Sequence, residues 1–127
     1  MKILLADDNE KYGKPFSEIL RNKGHEVEYV TNKFKLIEYA RERVYDLIIT
    51  DYNMPRGIEG LEAVVEIRKS DADTPIILCS EKFEDIPQIF VDVQKAVEKY
   101  PNVRVLTKTE VRSRVNSGEL EQVFSLE

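Results

Sequence analysis

Residues 46–55 read DLIITDYNMP, in which the apolar run LIIT (47–50) stops at the carboxylate of Asp51. A short run without polar alternation is typical of a strand that is covered on both faces, as in a parallel sheet. Residues 3–6 (ILLA) and 76–79 (IILC) have the same character. The sequence therefore predicts three buried strands that need helices on both sides of the sheet.

Two further runs, residues 27–30 (VEYV) and 103–106 (VRVL), alternate apolar with polar residues and predict less buried or edge strands. Between the runs, apolar residues recur at spacings of three and four, which indicates amphipathic helices. The predicted buried faces are Phe16, Ile19 and Leu20; Phe34, Ile37, Ala40 and Val44; and Ile86, Ile89, Phe90, Val93, Val97 and Tyr100. Five strands alternating with five helical segments predict an open α/β sandwich with right-handed crossovers.

Glycine and proline mark several predicted element ends. Gly24 stands where a helix C-cap would fall, and Pro75 opens the fourth strand. The last stretch, residues 110–124, is interrupted at 116–118, which predicts either a bent helix or a short helix followed by a second one capped by Ser117. We expect a single domain over residues 1–127, with its core at about 2–115 and a C-terminal helical segment to 126.

Composition narrows the function classes. The 127 residues are 42% hydrophobic and 34% charged, so the chain can bury a core and is not expected to be disordered. A net charge of −5 argues against a nucleic-acid partner. The single cysteine, Cys79, allows no intrachain disulfide, and no apolar run approaches the length of a membrane span. We therefore expect a cytoplasmic location and no membrane contact.

The predicted strands end in side chains that can support chemistry. Asp7 and Asp8 follow the first strand, Asp51 ends the third, Ser80 ends the fourth and Lys108 follows the fifth. Each alone has an ordinary explanation, such as a helix cap or a solvated charge. Ligands in open α/β sheets bind beyond the carboxyl ends of the strands. Three carboxylates gathered there favour a hard divalent cation, and Mg²⁺ suits such a site.

Four segments together resemble the receiver domains of two-component response regulators, the single-domain fold of the chemotaxis regulator. They are LLADDNE at 4–10, DLIITDYNMP at 46–55, PIILCS at 75–80 and VRVLTK at 103–108. The resemblance extends from residue 2 to about residue 115. It implies a flavodoxin-like α/β sandwich, with a five-stranded parallel sheet in the order 2-1-3-4-5 and helices on both faces.

The resemblance also implies roles for the residues at the strand ends. Asp51 is expected to be the phosphoacceptor. Asp8, Asp51 and the backbone carbonyl of Asn53 are expected to hold Mg²⁺, and Asp7 to act on it through a water. Lys108 and Ser80 are expected to contact phosphoryl oxygens.

These roles imply signalling partners rather than a conventional enzyme activity. The phosphoryl donor is expected to be a sensor histidine kinase or a phosphotransfer protein. The output is expected to be a protein target, or a homodimer, on the surface of the fourth helix, fifth strand and fifth helix. The chain could be a stand-alone receiver or part of a larger regulator.

The chain departs from the family pattern at several positions. Val105 stands where the family has a switch aromatic, and Thr109 where a proline usually follows the lysine. Glu81 replaces a small residue, and Lys82 occupies a position that influences the lifetime of the phosphorylated state. The loop at residues 56–59 is one residue longer than usual, which Gly57 could absorb with a positive φ angle, and the segment between Ser80 and Lys108 is also longer.

Two alternatives remain open, and the departures favour the first of them. A pseudo-receiver would be an interaction module whose output no longer needs phosphate. A Mg²⁺-dependent phosphohydrolase would also use an aspartate nucleophile, but such enzymes generally carry it on the first strand, with a second aspartate two residues on. His25, the only histidine, precedes the second strand and is expected to lie away from the site.

Overall fold

The computed structural model of the chain describes residues 1–54 and 58–124. Its five strands form one parallel sheet in the order β2-β1-β3-β4-β5, as predicted. The strands are β1 (Lys2–Ala6), β2 (Glu26–Val30), β3 (Leu47–Asp51), β4 (Ile76–Ser80) and β5 (Val103–Thr107). Each of the five predicted runs lies within one of these strands.

In the part of the chain that the structure describes, six α-helices and one 3₁₀ helix surround the sheet. The α-helices are α1 (Glu10–Asn22), α2 (Lys33–Glu42), α3 (Glu59–Arg68), α4 (Lys82–Asp85), α5 (Pro87–Val97) and α6 (Lys108–Ser117), and the 3₁₀ helix is Leu120–Phe124. No helix among residues 1–54 and 58–124 is both long and apolar enough to cross a membrane.

The core consists of two apolar clusters, one on each face of the sheet. Strand β1 contributes Leu4 and Ala6 to one cluster and Ile3 and Leu5 to the other, because successive side chains point to opposite faces. Helices α2 to α5 cover the first cluster, whereas α1 and α6 cover the second. Every residue of β3 and β4 is buried, which explains their continuous apolar sequences.

The predicted buried face of the second helix is wrong at both ends. Phe34 is 72% exposed and Val44 is 85% exposed, while Leu36 supplies the fully buried contact. The helix starts after the Asn32 cap and ends at Glu42, so Val44 lies beyond it. Phe34 lies two residues before Leu36, roughly 200° around the helix, so burial of Leu36 turns Phe34 to solvent.

The predicted fourth helix corresponds to α5, and an additional one-turn helix, α4, precedes it. Helix α4 forms a single turn and ends before Ile86, and Pro87 is the first residue of α5. Proline lacks an amide hydrogen and is favoured at the first position of a helix, so a new helix starts there. Val93 and Val97 are buried as predicted, but Ile86 is 46% exposed because it lies in the break.

The C-terminal stretch follows the second predicted alternative in part. Helix α6 ends at Ser117, and Gly118 closes it with a left-handed backbone at φ 75°. The Ser117 hydroxyl donates back to the Arg114 carbonyl and does not cap the next element, as had been expected. Gly24 follows the cap of α1 with φ 94°, in agreement with its predicted role. In the lengthened loop at 56–59, residues 56 and 57 lie outside the described residues, so the predicted role of Gly57 is not tested; Ile58 and Glu59 are described.

Candidate functional site

The predicted site residues meet in one cleft at the carboxyl edge of the sheet. Asp7 and Asp8 follow β1, Asp51 ends β3, Ser80 ends β4 and Lys108 opens α6 directly after β5. The cleft has a volume of about 180 Å³. It is lined by Asp8, Asn9, Asp51, Asn53, Ser80, Glu81, Lys82 and Lys108.

Three carboxylates converge at the floor of this cleft. Asp7, Asp8 and Asp51 each offer an oxygen within 4.8 Å of the other two. Backbone amides hold two of them: the Asn9 amide donates to Asp7 Oδ1 at 2.9 Å, and the Asn53 amide donates to Asp51 Oδ1 at 3.2 Å. Asp7 and Asp51 are buried, whereas Asp8 is partly exposed. The set provides only oxygen donors, the kind that a hard cation prefers.

Burial and the neighbouring negative charges raise the pKa of Asp51 and of Asp8. Burial raises the pKa of Asp51 from 3.8 to about 6; Lys108 opposes this effect, and Asp7 adds to it. Burial and the neighbouring Asp7 also raise the pKa of Asp8. Gathering these negative charges therefore costs free energy, and bound positive charge would offset it.

Lys108 provides a buried positive charge within the cleft. Its Nζ lies 2.9 Å from Asp7 Oδ2 and 3.6 Å from Asp51 Oδ2. Burial lowers the lysine pKa, but the two carboxylates outweigh burial and the net direction is upward. The residues described contain no cis peptide bond. Lys108 instead reaches the site from the first turn of α6, which Thr107 caps by accepting a hydrogen bond from the Glu110 amide.

Ser80 is held beside the third strand. Its Oγ donates to Asn53 Oδ1 at 2.9 Å and accepts from the Lys82 amide at 3.1 Å. These bonds connect the loop after β3 with the start of α4. The serine hydroxyl is therefore positioned at the cleft and coupled to both of its neighbouring segments.

Two of the family departures have a defined place. Glu81 is exposed and lines the cleft, with Oε1 4.0 Å from Lys108 Nζ. Val105 is buried in β5. An aromatic cluster forms elsewhere: Phe83 in α4 lies 5.5 Å from the ring of Tyr52 and 5.4 Å from the ring of Phe90. Aromatic packing thus links the residue after Asp51 to α5 without an aromatic side chain on β5.

Sequence reasoning missed two tyrosines that contact the site. The Tyr29 hydroxyl donates to the Asp7 backbone carbonyl at 2.6 Å, and its ring packs where a side chain at Gly13 would be. Tyr12 lies under the Lys108 ammonium, 4.0 Å from ring centroid to Nζ. The one signal for Tyr12 was its position four residues before Phe16, on the same face of α1. Tyr29 gave no comparable signal.

His25 lies away from the cleft, as predicted. It precedes β2, and its Nδ1 is 3.0 Å from the N-terminal amine. It is partly buried rather than fully solvated, and burial lowers its pKa.

Comparison with known proteins identifies the family. A family model described as the response regulator receiver domain matches residues 3–112. The chain belongs to this family. Receiver domains are signalling domains of two-component systems and not conventional enzymes.

A transcriptional regulator is among the relatives of this chain. The receiver is 33% identical to the uncharacterized transcriptional regulatory protein YkoG of Bacillus subtilis over 85 residues, which cover 67% of this chain and 36% of YkoG. The chain therefore spans about a third of the length of that relative.

Two solved structures resemble the receiver over most of its length. The chemotaxis response regulator CheY4 of Vibrio cholerae aligns with a TM-score of 0.69 at 26% identity, over 90% of this chain and 97% of that chain. The response regulator TrrA of Thermotoga maritima, solved in complex with Mg²⁺–BeF, aligns with a TM-score of 0.68 at 28% identity. That alignment covers 91% of this chain and 96% of TrrA.

Proposed function

We propose that this receiver is a phosphorylation-dependent signalling switch that accepts a phosphoryl group on Asp51. The observation that carries the proposal is the convergence of Asp7, Asp8, Asp51 and Lys108 in one cleft at the carboxyl edge of the sheet. Family membership makes phosphoryl transfer the chemistry to test there. We infer that residues 1–127 form one domain that acts in the cytoplasm.

The donor set fits Mg²⁺. Three carboxylates within 4.8 Å of one another leave an excess of negative charge, even with Lys108 beside them. We assign direct ligation to Asp8, Asp51 and the backbone carbonyl of Asn53, with Asp7 acting through a water. When bound, the metal would neutralise charge on the phosphoryl oxygens.

The chain's own residues would divide the transfer chemistry among them. An Asp51 oxygen attacks the phosphorus of a donor phosphohistidine, so an O–P bond forms while the N–P bond breaks and the imidazole nitrogen keeps the electron pair. Lys108 carries a positive charge 3.6 Å from Asp51, where it would pair with a phosphoryl oxygen. Water later cleaves the acyl phosphate, which returns the Asp51 carboxylate and releases inorganic phosphate.

Ser80 would convert the new charge into a movement. Its hydroxyl now donates to Asn53, and a phosphoryl oxygen on Asp51 would be a stronger acceptor because it is charged. Rotation toward that oxygen would release Asn53 and draw the start of α4 inward. Phe83, packed between Tyr52 and Phe90, would carry the shift to α5.

We assign the output to the surface formed by α4, α5, β5 and α6. A groove of about 530 Å³ lies there between α5 and β5, lined in part by Val97, Tyr100 and Leu106. The expected partners are a sensor histidine kinase or phosphotransfer protein upstream and a protein target or second copy downstream. Because the net charge is −5, nucleic acid is not an expected ligand of this domain.

A pseudo-receiver is the second candidate, and two observations favour it. Glu81 adds a carboxylate at the rim of the cleft, 4.0 Å from Lys108, where it would compete for the lysine charge. Val105 offers no aromatic ring to change rotamer on β5. A protein of this class would bind its partner equally well with or without modification of Asp51.

Incubation with acetyl phosphate and Mg²⁺, followed by intact mass measurement, separates the two candidates. We expect one added phosphoryl group on the wild-type protein and none on Asp51→Asn. The exposed Asp85→Asn variant controls for the loss of a negative charge and should be phosphorylated like the wild type. Absence of the adduct, together with absence of Mg²⁺ binding by calorimetry, would leave the pseudo-receiver.

A further inference from the structure

We propose that Tyr12 is a positioning residue for Lys108, whose ammonium it holds in the cleft through the face of its aromatic ring. This inference rests on the proposed function, because the step it serves is phosphoryl transfer to Asp51. It concerns a residue of α1 that lies outside the four segments on which the family resemblance depends.

The geometry is that of a cation–π contact. Lys108 Nζ lies 4.0 Å from the Tyr12 ring centroid, well within the range over which such contacts are attractive. The lysine side chain is only 7% exposed, so little water screens the attraction. Tyr12 itself packs against Phe16 with ring centroids 5.7 Å apart, and this contact fixes the ring on α1.

Lys108 needs such support because of where it stands in the chain. It is the first residue of α6, and Thr109 follows it. Its ammonium ends a flexible four-carbon stem that carries considerable rotamer entropy. Among residues 1–54 and 58–124, Asp7 is the one hydrogen-bond partner of the ammonium, at 2.9 Å, while Asp51 is at 3.6 Å. The ring therefore adds a second close restraint from a different helix.

Arg112 also contacts the Tyr12 ring. Its guanidinium carbon lies 5.1 Å from the same ring centroid. Lys108 and Arg112 are four residues apart on α6, so they lie on one face of that helix. Tyr12 thus contacts two cationic side chains of α6 from α1, in addition to the core packing of that helix.

The role predicts a graded effect on phosphorylation. Replacing Tyr12 with leucine removes the ring face but keeps an apolar side chain against Phe16. Loss of a cation–π contact between partly buried groups should lower the phosphorylation rate constant by about three- to thirtyfold. Tyr12→Phe keeps the ring face and should react within about twofold of the wild type.

The test is a double-mutant cycle on the rate of phosphorylation by acetyl phosphate in Mg²⁺. Tyr12→Leu is compared with the wild type, and then again in a Lys108→Met background. We expect the slowing in the first comparison to disappear in the second, because no ammonium remains to be held. Calorimetric Mg²⁺ affinity should not fall in Tyr12→Leu, because loosening the ammonium beside Asp7 and Asp51 removes positive charge from the carboxylates without removing a proposed ligand.

A second series covers the case in which Tyr12→Leu does not fold. Starting from the Tyr12→Phe variant, phenylalanine analogues with one, two and three ring fluorines are incorporated at this position. The fluorines weaken the negative ring face with little change in shape. We expect the rate constant to fall stepwise along the series. Equal rates along it, or equal slowing by Tyr12→Leu in both lysine backgrounds, would overturn the positioning role. Failure of the wild type itself to be phosphorylated would instead refute the proposed function.

Discussion

Asp51→Asn is expected to make the metal-free protein more stable. In the folded chain, burial raises the pKa of Asp51 from 3.8 to about 6. Below pH 3.8 the carboxyl is protonated in both the folded and unfolded states, and it contributes nothing to the pH dependence. As pH rises toward 6, only the unfolded state releases the proton, so the free energy of unfolding falls. Above pH 6 the loss is complete.

The magnitude follows from the difference between the two pKa values. A difference of about two corresponds to ~3 kcal/mol above pH 7 and to roughly half of that at pH 5. Asparagine has nearly the same shape and does not ionise. The variant should therefore exceed the wild type by about 1.5 kcal/mol at pH 5 and by about 3 kcal/mol at pH 7.5.

Urea denaturation followed by circular dichroism, in EDTA and at several pH values, measures this gap. Asp85→Asn is the control, since it removes an exposed carboxylate and should show no such gain. Mg²⁺ should stabilise the wild type more than Asp51→Asn and narrow the difference, because it binds the folded state of the former more tightly. A variant that is less stable than the wild type at pH 7.5, or a gap that does not grow with pH, would refute the reasoning.

Three further substitutions have defined expectations. Gly60→Ala should abolish phosphorylation and lower the melting temperature, because a Cβ there would lie 1.9 Å from the Asp51 carbonyl oxygen. Arg68→Met should lower the free energy of unfolding by about 3 kcal/mol in urea, because the guanidinium donates five hydrogen bonds to loop carbonyls. Tyr29→Phe should cost about 1–3 kcal/mol and weaken Mg²⁺ binding by calorimetry, because the Asp7 carbonyl loses its donor.

Matched controls accompany these variants. Arg41→Met removes an exposed arginine and should cost less than about 1 kcal/mol. Tyr100→Phe removes a hydroxyl far from the cleft and should leave Mg²⁺ binding unchanged. Normal phosphorylation of Gly60→Ala, or an Arg68→Met variant no weaker than Arg41→Met, would contradict the packing on which the expectations rest.

The sheet was predictable from sequence because its three central strands are buried on both faces. The apolar runs of β3 and β4 end in Asp51 and Ser80, and a parallel sheet then brings these two side chains to one edge. The exposure of Phe34 was not predictable from spacing alone, because Phe34 and Leu36 are both apolar and lie on nearly opposite sides of α2, and packing decides which of them is buried. The additional turn α4 lies before the predicted apolar stripe, and Pro87 was a signal for the start of α5.

The tyrosine contacts are of a different kind. Tyr12 meets Lys108 across nearly the whole length of the chain, and Tyr29 reaches Asp7 from the neighbouring strand. Neither pairing has a local pattern, since both depend on how α6 and β2 pack beside α1 and β1. Sequence reasoning placed the charged groups correctly at the cleft but could not identify the rings that support them.

The two sides of the cleft differ in how closely they are packed, because Gly60 lies directly against the end of β3. The Gly60 amide donates to the Tyr52 carbonyl, and the backbone beside it leaves no space for even a methyl group. The start of α3 is therefore held closely against the end of β3, whereas α4 is a single helical turn attached through the Ser80 hydroxyl. We expect a change of charge on Asp51 to displace α4 and leave the Gly60 contact in place, which gives the signal a direction through the molecule.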